Sequence, residues 1–285
     1  MVFAFTWIIP GVLAQSPRPA LSDVPEISEV FAGVVNLLSD VEKPHQLIRE
    51  LASRGVEVFH APTPDFHPVE LVYVLGAVDF IEKHASRGCR VLVHCAGGVG
   101  RSSQVTASYL IYTGLSLLEA VEAVRSRVPG ALEVPWQFRL VEDFATLVEL
   151  VGRNKTRQLY RELESALGRR GLLHFSKLLQ FSIELAGIAG VEEGELREAV
   201  YELLEAGGGR RSGWASALLR LAEILDYDAS RRVVVLDGDR LGDRLEVRLL
   251  CNAPCWDIAE RLQRAASEEG FGEVVAEAGL YMDYV

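Results

Sequence analysis

The sequence predicts an α/β fold for residues 1–152 and a second, mostly helical α+β domain for residues 156–285. Two observations support this division. In the first part, short apolar and β-branched runs alternate with longer segments of helical periodicity, which is typical of a central, mostly parallel sheet flanked by helices. After the polar segment VGRNKTR, at residues 151–157, the pattern changes to helices punctuated by glycine, followed by a hairpin. A chain of 285 residues is long enough for two such domains.

Each element of the first domain has a local signal. The predicted strands are rich in aliphatic and aromatic residues and end near turn residues; they cover residues 3–9, 30–37, 56–60 and 90–93. The predicted helices cover residues 42–54, 69–85, 102–112, 116–127 and 135–151. Ser116 with Glu119 forms a capping-box pattern, which indicates a helix start.

The second domain resembles no family that we recognise. Four helical patterns run to about residue 226, followed by a hairpin made of RRVVVL and RLEVRLL, a helix over 257–268 and a short end strand. The segment Asp237 to Asp239 is interpreted as the hairpin turn, because the further ligand pattern of a calcium loop is absent. Cys251 and Cys255 leave three interpretations open: a redox or metal-binding pair, two buried cysteines, or a simple disulfide.

The charge balance argues against nucleic acid as a partner. The net charge is −11, and both halves are acidic: residues 1–150 carry 11 basic and 17 acidic side chains, and residues 151–285 carry 18 and 23. Binding to a phosphate backbone uses a basic excess that neither half has. No apolar run is long enough to span a bilayer, so a membrane partner is not expected either.

The N-terminal segment MVFAFTWIIPGVLAQS is apolar but lacks the basic region that opens a signal peptide, since the first basic residue is Arg18. We therefore expect a cytoplasmic protein. Four cysteines do not make a disulfide framework. The scarcity of Asn, Cys and Met is typical of proteins from thermophiles.

The segment VHCAGGVGRSS, residues 93–103, carries the predicted chemistry. Cys95 follows a buried strand, at the sheet edge where α/β proteins place ligand sites. Glycines in the following loop let successive backbone N–H groups converge on one point, and the helix beginning near Ser102 adds the positive end of its dipole. Arg101 can clamp two oxygens of a tetrahedral anion. The loop consists of Ala96, Gly97, Gly98, Val99 and Gly100.

These surroundings also favour the thiolate form of a cysteine, which is its nucleophilic form. Cys95 is therefore the predicted nucleophile, and a phosphate held above it is placed for in-line transfer to sulfur. This chemistry requires no metal and no cofactor.

A leaving alkoxide or phenolate needs a proton, so a carboxylic acid must reach it. Asp65 lies in the loop APTPDFHP, between a predicted strand and a predicted helix, where Pro64 and Pro68 stiffen the chain. Asp65 is the predicted general acid. Asp40, after the preceding strand, is the alternative carboxylate.

Residues 3–150 resemble the small atypical dual-specificity phosphatases. His94-Cys95, five residues and then Arg101-Ser102 match the signature of cysteine-based protein phosphatases. The segments FTWIIPGVLAQSPRP, VVNLL, PTPDFHP and EAVEAVRSRVPGALEVPWQ follow that family in order and spacing.

The resemblance implies roles for these residues. Cys95 would form a phosphocysteine intermediate, Arg101 would bind phosphate and stabilise the transition state, and Ser102 would help the sulfur to leave. His94 would brace the loop, and Asp65 coincides with the family's general acid. Three further positions match accessory residues of the family. Gln137 matches a residue near the hydrolytic water, Arg18 matches one at the rim of the site, and Glu133 matches a third accessory position.

The sequence departs from the family at two points. Thr-Gly often follows the loop arginine, whereas here Ser102-Ser103 does, which keeps the hydroxyl group. The loop interior has no lysine, whereas relatives that prefer inositol phospholipids tend to carry basic residues there. We therefore expect phosphorylated proteins as substrates, with phosphotyrosine first and phosphoserine and phosphothreonine as further candidates.

The sequence alone is also compatible with other functions. One is a module that binds phosphate esters without turnover. Another is the same chemistry on an RNA 5′-triphosphate or an inositol phosphate, and a weaker one is sulfur transfer of the rhodanese type. The second domain is expected to recruit substrate or to mediate dimerisation, and no chemistry is predicted for it.

Overall fold

The structure is a computed structural model that describes residues 3–205, 214–226, 232–242, 244–268 and 273–280. The chain divides into two compact units, Met1–Ser165 and Ala166–Val285. The first is an α/β unit, and the second contains helices and a small sheet, as the sequence predicts.

A five-stranded sheet forms the centre of the first unit. Its strands are β1 Thr6–Ile9, β2 Leu13–Ser16, β3 Gly33–Leu38, β4 Glu57–Thr63 and β5 Val91–His94. Their order is β1-β2-β5-β3-β4, and every pair is parallel except β1 with β2. Every residue of β3 and β5 is buried, as expected for central strands of a parallel sheet. The predicted mostly parallel sheet is therefore confirmed.

Strand β2 was not predicted from the sequence. This strand has four residues, and two of them, Gln15 and Ser16, are polar, so it shows no apolar run. It is buried because it lies between β1 and β5. Ser16 is in register with His94, which places the segment after β2 beside the loop that follows β5.

Helices surround this sheet. They are α1 Val24–Val30, α2 His45–Ser53, α3 Leu71–Ala85, α4 Arg101–Thr113, α5 Leu117–Arg125 and α6 Pro135–Val151. The predicted capping box is present at α5: the Ser116 Oγ accepts from the Glu119 N at 3.4 Å, and the Ser116 N donates to the Glu119 carboxylate at 2.9 Å. Before α2, a 3-10 turn at Asp40–Glu42 replaces the predicted first turn of helix.

Helix α7, Arg153–Ala189, crosses the predicted domain boundary. Arg157 and Arg161, near its start, bind the buried Asp79 of α3, so this part of the helix belongs to the first unit. The structural division therefore falls at residues 165/166, after the predicted boundary at 152–156. The polar segment VGRNKTR, which was predicted as the boundary, forms a turn at Gly152, with a φ of 76°, and the first turn of α7.

The second unit continues with helices α8 Glu193–Glu205, α9 Trp214–Leu225 and α10 Trp256–Glu268. Four helical patterns are predicted before residue 226, but the described residues form three helices there, because Gly168, Gly171 and Gly187 lie inside α7. Each glycine makes the helix about 1 kcal/mol less stable than an alanine would, and α7 nevertheless continues through all three. None of the described helices has an apolar stretch long enough to cross a membrane.

A three-stranded sheet completes the second unit. Its strands are β6 Val233–Leu241, β7 Arg244–Cys251 and β8 Glu273–Leu280. β6 and β7 form the predicted hairpin, and β8 pairs parallel to β7 after helix α10. Asp237 and Asp239, predicted as the turn, lie inside β6. The reversal begins at Gly242, where a φ of 64° suits a tight hairpin, at the end of the segment DGDRLGD that the sequence places between the two strands.

Cys251, at the end of β7, and Cys255, directly before α10, form a disulfide. Both cysteines are buried. Of the three interpretations that the sequence leaves open, the structure has the simple disulfide.

Candidate active site

The loop after β5 surrounds one thiol with groups that stabilise negative charge. Cys95 is 2% exposed. Its Sγ accepts a hydrogen bond from the Gly98 N at 3.2 Å and lies 3.3 Å from the Ser102 Oγ. Helix α4 begins at Arg101, so the positive end of its dipole also lies at this loop.

Backbone packing against β2 fixes the turn of the loop. Gly98 has a φ of 70°, and a Cβ there would lie 2.4 Å from the Pro17 N. The Gln15 Nε2 donates to the Gly98 carbonyl at 2.7 Å and to the Ser103 Oγ at 2.8 Å. Gln15 was not predicted as a site residue, because it lies 83 residues before the glycine that it holds.

Arg101 is buried, and its guanidinium is held by oxygen atoms from two loops. Nη1 and Nη2 donate to the two carboxylate oxygens of Glu42 at 2.8 and 3.0 Å. Nη1 also donates to the Thr63 carbonyl at 2.7 Å, and Nη2 pairs with the Asp65 Oδ1 at 2.9 Å. The arginine is therefore locked in place before any anion binds.

Glu42 is a second residue of the site that was not predicted from the sequence. Its signal, Ser39 followed three residues later by Glu42, indicates a capping box and does not point to a distant arginine. Burial raises the pKa of Glu42, but hydrogen bonds from Arg101 and Ser39 outweigh it and lower the pKa to about 2. Burial alone would lower the pKa of Arg101, but Glu42 and the nearby anionic groups raise it. Both groups are charged at neutral pH.

Asp65 lies on the exposed side of this arginine, with its side chain 57% exposed. Its Oδ1 accepts from the Phe66 N at 3.1 Å, which turns the carboxyl group toward Arg101. The alternative acid, Asp40, is 73% exposed and lies 3.8 Å from the rings of His45 and His60. Of the two carboxylates, Asp65 is the one paired with the loop arginine.

His94 is fully buried at the end of β5, and its Nδ1 lies 3.4 Å from the Cys95 carbonyl. A carbonyl can only accept, so Nδ1 carries the proton in this contact. Burial lowers the pKa of His94 to about 4, and the positive charges of Arg18 and Arg101 contribute to the lowering. His94 is therefore neutral at pH 7 and holds the loop backbone.

The accessory residues lie at different distances from the loop. Gln137 is buried, and its Oε1 would be 2.7 Å from a Cβ on Gly100. The Arg18 N donates to the Ala96 carbonyl at 2.9 Å, and its guanidinium donates to the Glu42 carbonyl at 2.8 Å. Glu133 is exposed.

Two other loop residues differ in their surroundings. Around Gly97 nothing lies within 4 Å of a Cβ position, so this residue faces open space. Val99 lies near Gly130, as does the carboxyl group of Glu133.

This arrangement places a thiol, backbone and hydroxyl donors, a guanidinium and a carboxyl group around one point. Such a set can bind a tetrahedral anion, attack its central atom and protonate a leaving oxygen. Among the described residues, no group of three His, Cys, Asp or Glu side chains could hold a metal ion.

Comparison with known proteins agrees with this chemistry. Residues 19–143 match the family model for the dual specificity phosphatase catalytic domain, and residues 1–18 and 144–285 lie outside that match. Phosphatidylglycerophosphate phosphatase PTPMT2 of Arabidopsis thaliana is 34% identical over 140 residues, which are 47% of this chain and 60% of that protein. Dual specificity protein phosphatase Mpk3 of Drosophila melanogaster is 40% identical over 125 residues, 43% of this chain and 29% of that protein.

A similar solved structure is that of Tk-PTP in the active form, which is 38% identical. The match covers 51% of this chain and 98% of that chain, with a TM-score of 0.48. By contrast, the matched part of this chain spans only 60% of the length of the Arabidopsis thaliana relative and 29% of the length of the Drosophila melanogaster relative.

Proposed function

Residues 19–143 belong to the dual specificity phosphatase family, and on this premise we propose that the chain hydrolyses phosphate monoesters through a phosphocysteine on Cys95. The contacts of the Cys95 Sγ carry the proposal. The Gly98 N–H at 3.2 Å and the Ser102 Oγ at 3.3 Å can stabilise a thiolate, and the buried Arg101 interacts electrostatically with the same cysteine.

In the first step the thiolate attacks phosphorus. A sulfur–phosphorus bond forms while the bond to the leaving oxygen breaks, and the electron pair of that bond stays on the oxygen. Loop N–H groups and Arg101 hold the equatorial oxygens, where charge accumulates in the transition state. Asp65 donates its proton to the leaving oxygen.

In the second step water attacks the phosphocysteine. The Asp65 carboxylate takes a proton from this water, a new phosphorus–oxygen bond forms, and the sulfur–phosphorus bond breaks. The Gly98 N–H and the Ser102 hydroxyl stabilise the thiolate that leaves. Gln137, buried next to Gly100, is the residue that we assign to orienting the water.

We propose protein phosphotyrosine as the main substrate, with phosphoserine and phosphothreonine as further substrates. The absence of Lys and Arg between Ala96 and Gly100 supports a protein over a highly charged inositol lipid. A phosphorylated lipid is the second candidate, because a 34% identical relative is named a phosphatidylglycerophosphate phosphatase.

The test is phosphate release without added metal, from matched phosphotyrosine and phosphoserine peptides and from a short-chain phosphatidylglycerophosphate. We expect release from the phosphotyrosine peptide to be abolished by Cys95→Ser and to fall about a hundredfold in Asp65→Asn. Cys89→Ser is the matched control, since Cys89 is a second free thiol. Tight peptide binding without release would instead indicate a binding module, and faster release from the lipid would indicate the second candidate.

For the compartment, we propose the cytoplasm of a thermophile. The Cys251–Cys255 disulfide is unusual in a reducing cytoplasm, but hyperthermophiles form such bonds inside the cell. The low content of Asn, Cys and Met supports the same proposal. For residues 166–285 we keep substrate recruitment or dimerisation as the proposed role.

A further inference from the structure

The loop that carries Asp65 is held by side chains from two helices. The Trp136 Nε1 of α6 donates to the Phe66 carbonyl at 2.6 Å. The Gln104 Oε1 of α4 accepts from the Val69 N at 2.9 Å, and its Nε2 donates to the His67 carbonyl at 3.4 Å. These bonds engage the backbone one, two and four residues after Asp65.

The loop adopts a conformation that its own sequence does not favour. Phe66 has a φ of 62°, a left-handed conformation that is uncommon for a bulky side chain and costs free energy. The ring of Phe66 is half exposed, so its packing gives little compensation. The hydrogen bond from the buried Trp136 to the carbonyl of this residue is a contact that stabilises the conformation.

Gln104 links the loop to the anion site through one helix turn. It lies three residues after Arg101 on α4 and is fully buried. Arg101 itself donates to the Thr63 carbonyl, at the other end of the loop, at 2.7 Å. The same helix therefore holds both ends of the Asp65 loop as well as the guanidinium.

We propose that Trp136 and Gln104 are positioning residues for the acid, and that they keep Asp65 beside Arg101 before a substrate binds. This inference rests on the proposed phosphatase function. The pairing of the Asp65 Oδ1 with the Arg101 Nη2 at 2.9 Å is the position that they maintain.

The test uses the leaving group, because a general acid matters most when the leaving oxygen is a poor one. We measure kcat/KM for phenyl phosphate and for an aryl phosphate with a strongly acidic phenol, and take their ratio. Trp136→Phe keeps a ring but removes the N–H, and Gln104→Met keeps the length but removes both hydrogen bonds. Each should lower kcat/KM for phenyl phosphate about tenfold and change the activated substrate less than twofold. This ratio does not depend on the fraction of folded enzyme.

Two controls separate positioning from stability. Trp7→Phe alters a tryptophan that packs against Phe5 and Phe31, and it should leave the ratio unchanged. Trp136→Phe combined with Asp65→Asn should show no further loss beyond Asp65→Asn, because the tryptophan acts through the acid.

The outcomes distinguish this inference from the proposed function. Equal losses on both substrates, or no loss in either variant, would overturn the positioning role while Asp65→Asn keeps its leaving-group dependence. Absence of any turnover that depends on Cys95 would overturn the proposed function and this inference with it.

Discussion

At Gly98 the loop after β5 turns with a φ of 70°, and a Cβ there would lie 2.4 Å from the Pro17 N. Gly97, its neighbour, has nothing within 4 Å of its Cβ position. Gly98→Ala should therefore lower kcat/KM about a hundredfold, because even a small displacement of the loop misplaces the thiol and its donors. Gly97→Ala should stay within about threefold of the wild type, since it adds a methyl group in open space. Initial rates on an aryl phosphate check both, and equal losses would mean that backbone strain is not the cause.

Glu42 should make the first unit sensitive to acid. Its pKa of about 2 lies below the ordinary value of 4.5, so the folded state binds fewer protons at this group than the unfolded state does. The stabilisation is thus complete above about pH 4.5 and is lost as the pH falls toward 2. Glu42→Gln should be less stable at pH 6 and should lose less stability on acidification.

Urea unfolding of wild type and Glu42→Gln between pH 2.5 and 6 measures this effect. Glu50→Gln is the control, because Glu50 is an exposed glutamate of α2. Parallel pH curves for Glu42→Gln and the wild type would contradict the assignment.

The residues of the site divide by how far along the chain their partners lie. Cys95, Arg101 and the loop glycines are within seven residues of one another, so their spacing alone predicts an anion site. Glu42 and Trp136 act on residues 59 and 70 positions away, and only the folded chain brings these contacts together. A single sequence contains no signal for such pairs.

At the level of elements, a row of buried polar side chains on α7 binds the edge strand β6. The Lys177 Nζ donates to the Val234 carbonyl at 3.2 Å and to the Gln180 Oε1 at 3.1 Å. The Gln180 Nε2 donates to Glu184, whose other oxygen accepts from the Leu236 N at 2.9 Å. All three side chains are buried. The row satisfies backbone groups of β6 that would otherwise be free for pairing with another strand.

Replacing Glu184 alone should lower the free energy of unfolding more than replacing both Glu184 and Lys177. Glu184→Leu removes the buried acceptor of the Gln180 Nε2 and of the Leu236 N, and it should lower the free energy of unfolding by about 3–5 kcal/mol. Combining it with Lys177→Met removes both buried charges and should restore part of that loss. The exposed pair of Glu193 with Arg197 is the control, and Glu193→Ala should cost less than about 1 kcal/mol. Thermal and urea unfolding measure the wild type and these three variants, and a double variant that is no more stable than Glu184→Leu would refute the coupling.

Elements with strong local signals were predicted well, and those that depend on neighbours were not. Helix α6 begins at Pro135 and ends at Val151, as predicted, because proline favours the first helical position and the apolar periodicity continues to Gly152. Strand β2 owes its burial to its two neighbouring strands. The Asp237–Asp239 segment has turn residues, but its pairing with β7 keeps it extended.

Over the whole molecule, the two units need opposite redox states. The proposed nucleophile Cys95 must be a free thiol, and it is free in the structure. Cys251 and Cys255 are joined across the end of β7 and the start of α10 in the second unit. A reductant that keeps Cys95 reduced therefore also attacks the disulfide, unless burial of both sulfurs slows the exchange.

The double variant Cys251→Ala with Cys255→Ala tests whether the units depend on each other. The disulfide closes a short loop, with a sequence separation of 4, and its removal should cost the second unit about 2 kcal/mol through greater chain entropy in the unfolded state. Calorimetry should then show the transition of the second unit at a lower temperature. The temperature at which turnover of an aryl phosphate is lost should not change, because the site lies within Met1–Ser165.

The control is Cys89→Ala, which removes a free thiol of the first unit and should change neither temperature. A parallel fall in both temperatures in the double variant would mean that the first unit is stabilised by the second, and residues 166–285 would then have a structural role rather than the recruitment or dimerisation that we propose.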